Sequence, residues 1–341
     1  MNFAHAGRRW LLVAGMIVWL SCGVAFAPAD EPASPPRIDP AAWYEVDAGW
    51  PQAAPGLEWD AVPGVAVDAD DRVWVFTRAR PPVRAYTSEG RLDRAWGEKE
   101  VHSAHHLKID SRGRIWLADI GRHVVMQFTP EGQLLKTLGT PDEAGEDERR
   151  LNKPTDMAIT PEGDVFVSDG YGNNRIVHFD ADGRFVKAWG RAGQRPGEFN
   201  TPHAIALDSE GRLYVADRSN ARVQVFDQSG KFLDQWTDIV TPWGFCVTPQ
   251  DEIWVCGSSP TSWKLSGPDA FGCPPRDQVF MKFAPSGKLV QLWTVPKGTD
   301  GQEQPGELNW VHCLALDSRG NIYTGDIMGK RVQKFVPRGS R

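Results

Sequence analysis

The segment Leu107-Lys108-Ile109-Asp110-Ser111-Arg112-Gly113-Arg114-Ile115-Trp116-Leu117-Ala118-Asp119 recurs with altered letters at two other places. Its counterparts are Ile205-Ala206-Leu207-Asp208-Ser209-Glu210-Gly211-Arg212-Leu213-Tyr214-Val215-Ala216-Asp217 and Leu314-Ala315-Leu316-Asp317-Ser318-Arg319-Gly320-Asn321-Ile322-Tyr323-Thr324-Gly325-Asp326. Each reads as a short apolar strand, a turn containing glycine and a second apolar strand. Aligned on the residue that ends the first strand, the whole chain yields six units, marked by Asp68, Asp110, Thr160, Asp208, Thr248 and Asp317. A second class of turn follows within the units, as at Thr87 to Gly90, Thr129 to Gly132, Asp180 to Gly183, Asp227 to Gly230 and Ala284 to Gly287. Two hairpin turns and four short strands make an antiparallel blade, and radial repetition of blades protects the sheet edges. The expected fold class is all-β, a six-bladed β-propeller.

The sixth unit reaches only its third strand, Arg331 to Val336, near the end of the chain. A spare strand stands at the other end: Trp43 to Trp50, followed by Pro51, Pro55-Gly56 and Glu58, reads like Phe185 to Gly190 followed by Pro196-Gly197-Glu198. The N-terminal strand is therefore expected to complete the last blade and close the ring. Ahead of it, residues 30–42 form a Pro- and Ala-rich linker. Residues 1–29 read as a signal peptide: Arg8 and Arg9 precede an apolar run from Trp10 to Ala27, with small residues Ala25, Ala27 and Ala29 near its end. Export to a secreted or periplasmic location follows, with no stable membrane insertion once the signal is cleaved. An uncleaved anchor is the competing reading, and Sec and twin-arginine routes both stay open. The propeller is assigned residues 43–341.

Of the 341 residues, 41% are hydrophobic and 24% charged, a composition that supports a packed core. The net charge of −6 comes with no basic cluster threaded by aromatics, which excludes a nucleic-acid partner. Five cysteines give no disulfide framework for an exported chain, so the core must hold itself. Cys246 and Cys256 flank a predicted hairpin turn, leaving a disulfide and two buried thiols both open. The chain is expected to be a monomer.

Stacking the units exposes one chemical signal. The position five residues before each marker holds Pro63, His105, Thr155, His203, Trp243 and His312. Histidine thus falls on every second blade, and alternate blades of a sixfold ring lie about 120° apart. Three imidazoles converging at one mouth of the channel, with a coordination position left open, form the ligand set of a catalytic zinc. His102, His106, His123 and His178 fall outside the slot and read as ordinary residues, and His5 lies in the signal.

The units are similar to NHL repeats. More specifically, Asn152 to Ile159, Val167-Ser168-Asp169-Gly170-Tyr171 with its continuation to Val177, Pro196 to Leu207, and Val215-Ala216-Asp217-Arg218 resemble the peptidyl-α-hydroxyglycine α-amidating lyases over most of the propeller. The resemblance implies a zinc on three histidines, matching His105, His203 and His312, an arginine after a Trp-Val-Phe strand, matching Arg78, and a tyrosine matching Tyr171. It implies a small-molecule or peptide C-terminal substrate, an α-hydroxyglycine that breaks into an amide and glyoxylate. Arg78, with Arg80 as the alternative, would clamp the carboxylate. Tyr171 would act as general base or proton shuttle, which requires the metal and Arg78 to lower a pKa ordinarily near ~10.

The departures from that family are local. Cys313 stands where the lyases carry a carboxylate for a structural calcium, which leaves calcium open. Trp310 replaces a pocket methionine and, with Trp243, is expected to line the substrate pocket. Asn152 and Gly172 occupy the places of the family's disulfide cysteines, and an insertion from Ser258 to Pro275 is expected to overhang a channel mouth. The reading from another class is a non-catalytic NHL propeller that binds a protein, peptide or glycan on one face. A lactonase would need channel carboxylates, which the aligned slot lacks.

Overall fold

The structure, a computed structural model, describes residues 44–237, 239–259 and 277–339. The signal, the linker and nearly all of the blade-five insertion lie outside the described residues. Six four-stranded antiparallel sheets follow one another along the chain. Blades one to five span residues 64–96, 104–138, 156–189, 202–236 and 241–294. The sixth takes three strands from residues 311–337 and its outermost strand, Tyr44–Val46, from the start of the domain. Tyr44, Glu45 and Val46 pair with Pro337, Val336 and Phe335, so the ring closes as expected.

The turn after each first strand explains why the marker residue repeats. Asp110 Oδ1 accepts the N–H groups of Arg112 and Arg114, and its Oδ2 accepts the indole N–H of Trp116 at 2.9 Å. Asp68 with Trp74, Asp208 with Tyr214 and Asp317 with Tyr323 repeat the arrangement. One carboxylate thereby satisfies a tight turn and the polar tip of a buried aromatic, either of which would be costly unpaired. In blade three the marker is Thr160, which has no second oxygen, and the sixth residue on is Phe166, which needs none. Gly113, Gly211 and Gly320 sit at φ of 73°, 79° and 77° in these turns, where a side chain would be strained.

The second strand of each blade is buried throughout because neighbouring blades cover both faces. Val73–Phe76, Ile115–Asp119 and Leu213–Asp217 are buried at every position. The core is accordingly a set of seams between blades, such as that joining Trp74, Phe76, Leu107, Leu117 and Phe128 across blades one and two. Outer strands such as Phe185–Trp189 alternate between exposed and half-buried.

Cys246 and Cys256 do not pair. They lie diagonally, Cys246 opposite Trp254 and Cys256 opposite Gly244, and both are free thiols. Asn152 and Gly172 are close enough that a Cβ on Gly172 would fall 2.0 Å from the Asn152 side chain, so an asparagine fills the place of a cystine.

Ring closure also depends on Trp50, which is buried edge-on against Tyr86 of blade one and Tyr323 of blade six. Trp50→Ala is expected to cost about 3–5 kcal/mol in a denaturant melt of the whole domain. Removing residues 43–50 should abolish the single cooperative transition, and an unchanged melt would break the closure argument.

Candidate metal centre

The slot histidines owe their aim to a defect in the strands that carry them. In blade two Ala104 pairs with Asp119 and Leu107 with Leu117, so two residues, His105 and His106, face one. The register slips at the same point around His203 and at His312, and in blade five at Trp243. A bulge bends the strand and re-aims its side chains, here toward the axis. The approach to each bulge is tied down by a buried aspartate at the end of the neighbouring strand. Asp119 accepts the N–H groups of His102 and Ser103, Asp217 that of Asn200, and Asp326 those of Asn309 and Trp310.

His105, His203 and His312 are all buried, and one ring nitrogen from each lies within 4.8 Å of the others. The other nitrogen, Nδ1, is committed in the same way in all three. His105 Nδ1 lies 2.5 Å from Thr155 O, His203 Nδ1 2.7 Å from Trp243 O and His312 Nδ1 2.8 Å from Pro63 O. Each imidazole thus donates to the backbone carbonyl of the slot residue on the next blade. That assigns the proton to Nδ1 and leaves three Nε2 lone pairs facing inward.

Tyr171 closes over these lone pairs. Its hydroxyl is 3.1 Å from His105 Nε2 and 3.0 Å from His203 Nε2. One O–H cannot serve two acceptors at once, so the cluster is short of positive hydrogen, an arrangement that a cation completes. The residues present therefore fit a zinc ion.

Burial keeps the imidazoles neutral, which is the form that ligates a metal. Desolvation pushes the pKa of His105 and His203 well below the ordinary histidine value, and desolvation together with the positive charges of Arg78 and Arg218 holds that of His312 at about 3. Burial raises the Tyr171 phenol, and Arg218, then Arg78, pull against it. The guanidinium groups alone do not meet the condition that the metal and Arg78 together lower this phenol, because desolvation of the phenolate outweighs both of them.

Arg218 is the site residue that the sequence reading did not single out. Its Nη1 lies 3.5 Å from the Tyr171 hydroxyl, and its guanidinium stacks 4.7 Å from the Trp243 ring. The signal was available, since Arg78 and Arg218 stand at the same repeat position, each ten residues after the marker of its unit, Asp68 and Asp208. Neither arginine has a carboxylate partner among the described residues, and Arg78 donates only a long 3.4 Å bond to Ala104 O. Arg80 is instead held by the carbonyls of Val101 and Glu98. Trp243 packs edge-on against His203 and against Trp310, so both tryptophans do meet beside the histidines.

Calcium does not fit the Cys313 position. That thiol is buried, with its pKa pushed up to about 12, and so is neutral. The neighbouring carboxylate, Asp156, is already matched by Lys108 Nζ at 3.2 Å and by the Ile205 N–H. A hard cation needs six or more oxygens, and this layer offers one paired carboxylate.

Comparison with known proteins agrees with the architecture. The NHL repeat family matches residues 151–179 and 199–226. Human "NHL repeat-containing protein 3" is 29% identical over 87% of this chain and 85% of its own length. "Peptidyl-alpha-hydroxyglycine alpha-amidating lyase 1" of Drosophila melanogaster is 30% identical over 86% of this chain, which spans 60% of that protein. Among solved structures, a streptogramin B lyase superposes with a TM-score of 0.58 over 87% of this chain and 98% of its own, at 14% identity, which speaks to the fold alone.

Because the folded-state histidine pKa values are depressed, the unfolded chain binds more protons than the folded one as pH falls below about 6.5. Stability from these groups is therefore complete above that pH and is lost below it. The melting temperature of metal-free protein should hold between pH 7.5 and about 6.5 and fall from there to pH 5, and that fall should shrink in a His203→Ala variant. An equal slope in the two proteins would contradict the assignment.

Proposed function

We propose that this chain, which carries NHL repeats in a six-bladed propeller and is similar to a peptidyl-α-hydroxyglycine α-amidating lyase, is a zinc-dependent carbon–nitrogen lyase acting on an α-hydroxyglycine or related carbinolamide. The observation that carries this reading is the convergence of His105, His203 and His312, each locked through Nδ1, under the hydroxyl of Tyr171. The reaction would convert R–CO–NH–CH(OH)–COO⁻ into R–CO–NH2 and glyoxylate, breaking the carbon–nitrogen bond while the hydroxyl proton passes to nitrogen.

His105, His203 and His312 would hold the zinc, which when bound supplies a Lewis acid that acidifies a substrate hydroxyl. Arg78 and Arg218, without carboxylate partners, would grip the substrate carboxylate from two blades. The Tyr171 hydroxyl is the group within reach to move the proton from oxygen to nitrogen. Its raised pKa suits the acid half of that transfer, since the phenol is protonated whenever no base takes its proton. Trp243 and Trp310 would wall the acyl side of the substrate, and the stacked Arg218 would hold Trp243 in place. The signal-like N-terminus makes this an exported enzyme in our reading.

Metal analysis of purified protein should find close to one zinc per chain, lost in His203→Ala. Glyoxylate release from an acylated α-hydroxyglycine tests the chemistry. Tyr171→Phe should lower kcat by about 10²–10⁴-fold with zinc retained, and Arg218→Ala should lower kcat/KM by about 10²-fold or more, largely through KM. Zinc-loaded protein that releases no glyoxylate would favour the non-catalytic binding propeller.

A further inference from the structure

His106 has no role so far, and it sits in an unusual place. The bulge that aims His105 at the axis sends the next residue inward as well. The equivalent positions on the other blades are Gly64, Asp156, Ala204, Gly244 and Cys313. Gly64 and Gly244 admit no Cβ, which would fall 2.9 Å from Leu107 N and 2.7 Å from His312 O respectively. Asp156 turns away to Lys108 and the Ile205 N–H. In this layer the one ring belongs to His106.

That ring is 2% exposed, and its centroid lies 4.9 Å from His105, 5.0 Å from His312 and 5.7 Å from His203. Its Nδ1 is 3.0 Å from both His105 Nδ1 and Thr155 O. It therefore lies on the Nδ1 side of His105, whereas Tyr171 lies on the Nε2 side. With the proton on Nδ1 in both rings, the Thr155 carbonyl receives two imidazole N–H groups. Thr155 itself is fixed, its hydroxyl 2.9 Å from Ser168 O and 2.8 Å from Pro202 O. His106 Nε2 has no hydrogen-bond partner. Toward the other mouth the channel opens into a cavity of about 310 Å³ lined by residues including Ala66, Lys108, Ala158 and Cys246.

We propose that His106 is the floor of the metal centre. Its ring closes the axial channel between the histidine triangle and the lower cavity. Water and chelators then reach the ion from the Arg78, Tyr171 and Arg218 mouth alone, and a coordination position open to substrate is not filled from beneath. His106 is a positioning residue, acting through the ion's surroundings and through Thr155, and the inference rests on the zinc reading above.

The test uses full-length protein loaded with cobalt(II), whose visible absorption reports coordination number. His106→Ala should admit solvent from below, lowering visible absorption per cobalt several-fold and weakening zinc binding by about 10–100-fold in chelator competition. His106→Phe keeps a ring in the floor and should retain the wild-type cobalt spectrum. An Ala variant with wild-type spectrum and affinity overturns the proposal. So does a Phe variant whose spectrum changes as much as that of Ala, since the ring's bulk would then not be what matters. If His106→Ala fails to fold, as judged by circular dichroism, the Phe spectrum alone decides. Wild-type protein that takes up neither cobalt nor zinc would instead sink the metal reading itself.

Discussion

The structure turns on a hydrogen bond that runs around the ring: an imidazole on one blade donates to the carbonyl of the same repeat position on the next. His105 to Thr155, His203 to Trp243 and His312 to Pro63 are three copies of it. Each bond crosses a blade seam, so the site exists only when the blades are packed and the ring is closed. A buried imidazole in such a bond has its tautomer chosen by the fold, and the second nitrogen is left as a lone pair with nowhere else to go. The aligned slot is therefore used on all six blades, with odd blades supplying carbonyls and even blades supplying imidazoles.

Two kinds of buried or half-buried carboxylate sustain this arrangement. Asp68, Asp110, Asp208 and Asp317 hold the hairpin turns and the tips of buried aromatics at one end of the first strands. Asp119, Asp217 and Asp326 hold the approach to the bulges at the other end, and Asp217 is itself held by Arg222 at 2.7 Å. Their charges are spent inward on N–H groups and guanidinium groups. The mouth beside the histidine triad is thus left with Arg78 and Arg218 next to neutral histidines, a positive field suited to an anionic ligand.

Trp310 marks where this chain parts from the lyases it resembles. Together with Trp243 it makes a rigid aromatic wall, fixed on one side by Arg218 and on the other by the His203 ring. A wall of that kind would restrict the shape of a bound group more than a flexible methionine would. In the proposed lyase reading the two guanidinium groups and the histidine triad would set the substrate class, and the tryptophans its size.

The repeat itself was legible in the letters, because a turn that needs an aspartate and a glycine, followed by an aromatic donor, leaves its mark at fixed spacing in Asp110, Gly113 and Trp116. Six units, closure by the N-terminal strand and the alternation of His105, His203 and His312 all follow from that spacing. The bulges were not legible, since an extra residue in one strand becomes visible only against its partner's register. That is why His106 read as ordinary and lies under the triad, and why Cys246 and Cys256, near in sequence pattern, sit out of register and unpaired. Arg218 likewise gained its place from blade packing, which brings the ends of the second strands of separate blades to one mouth. The sequence determined which residues recur and on which blades; tertiary packing decided where their side chains point, because orientation about the axis is set by contacts between strands far apart in the chain.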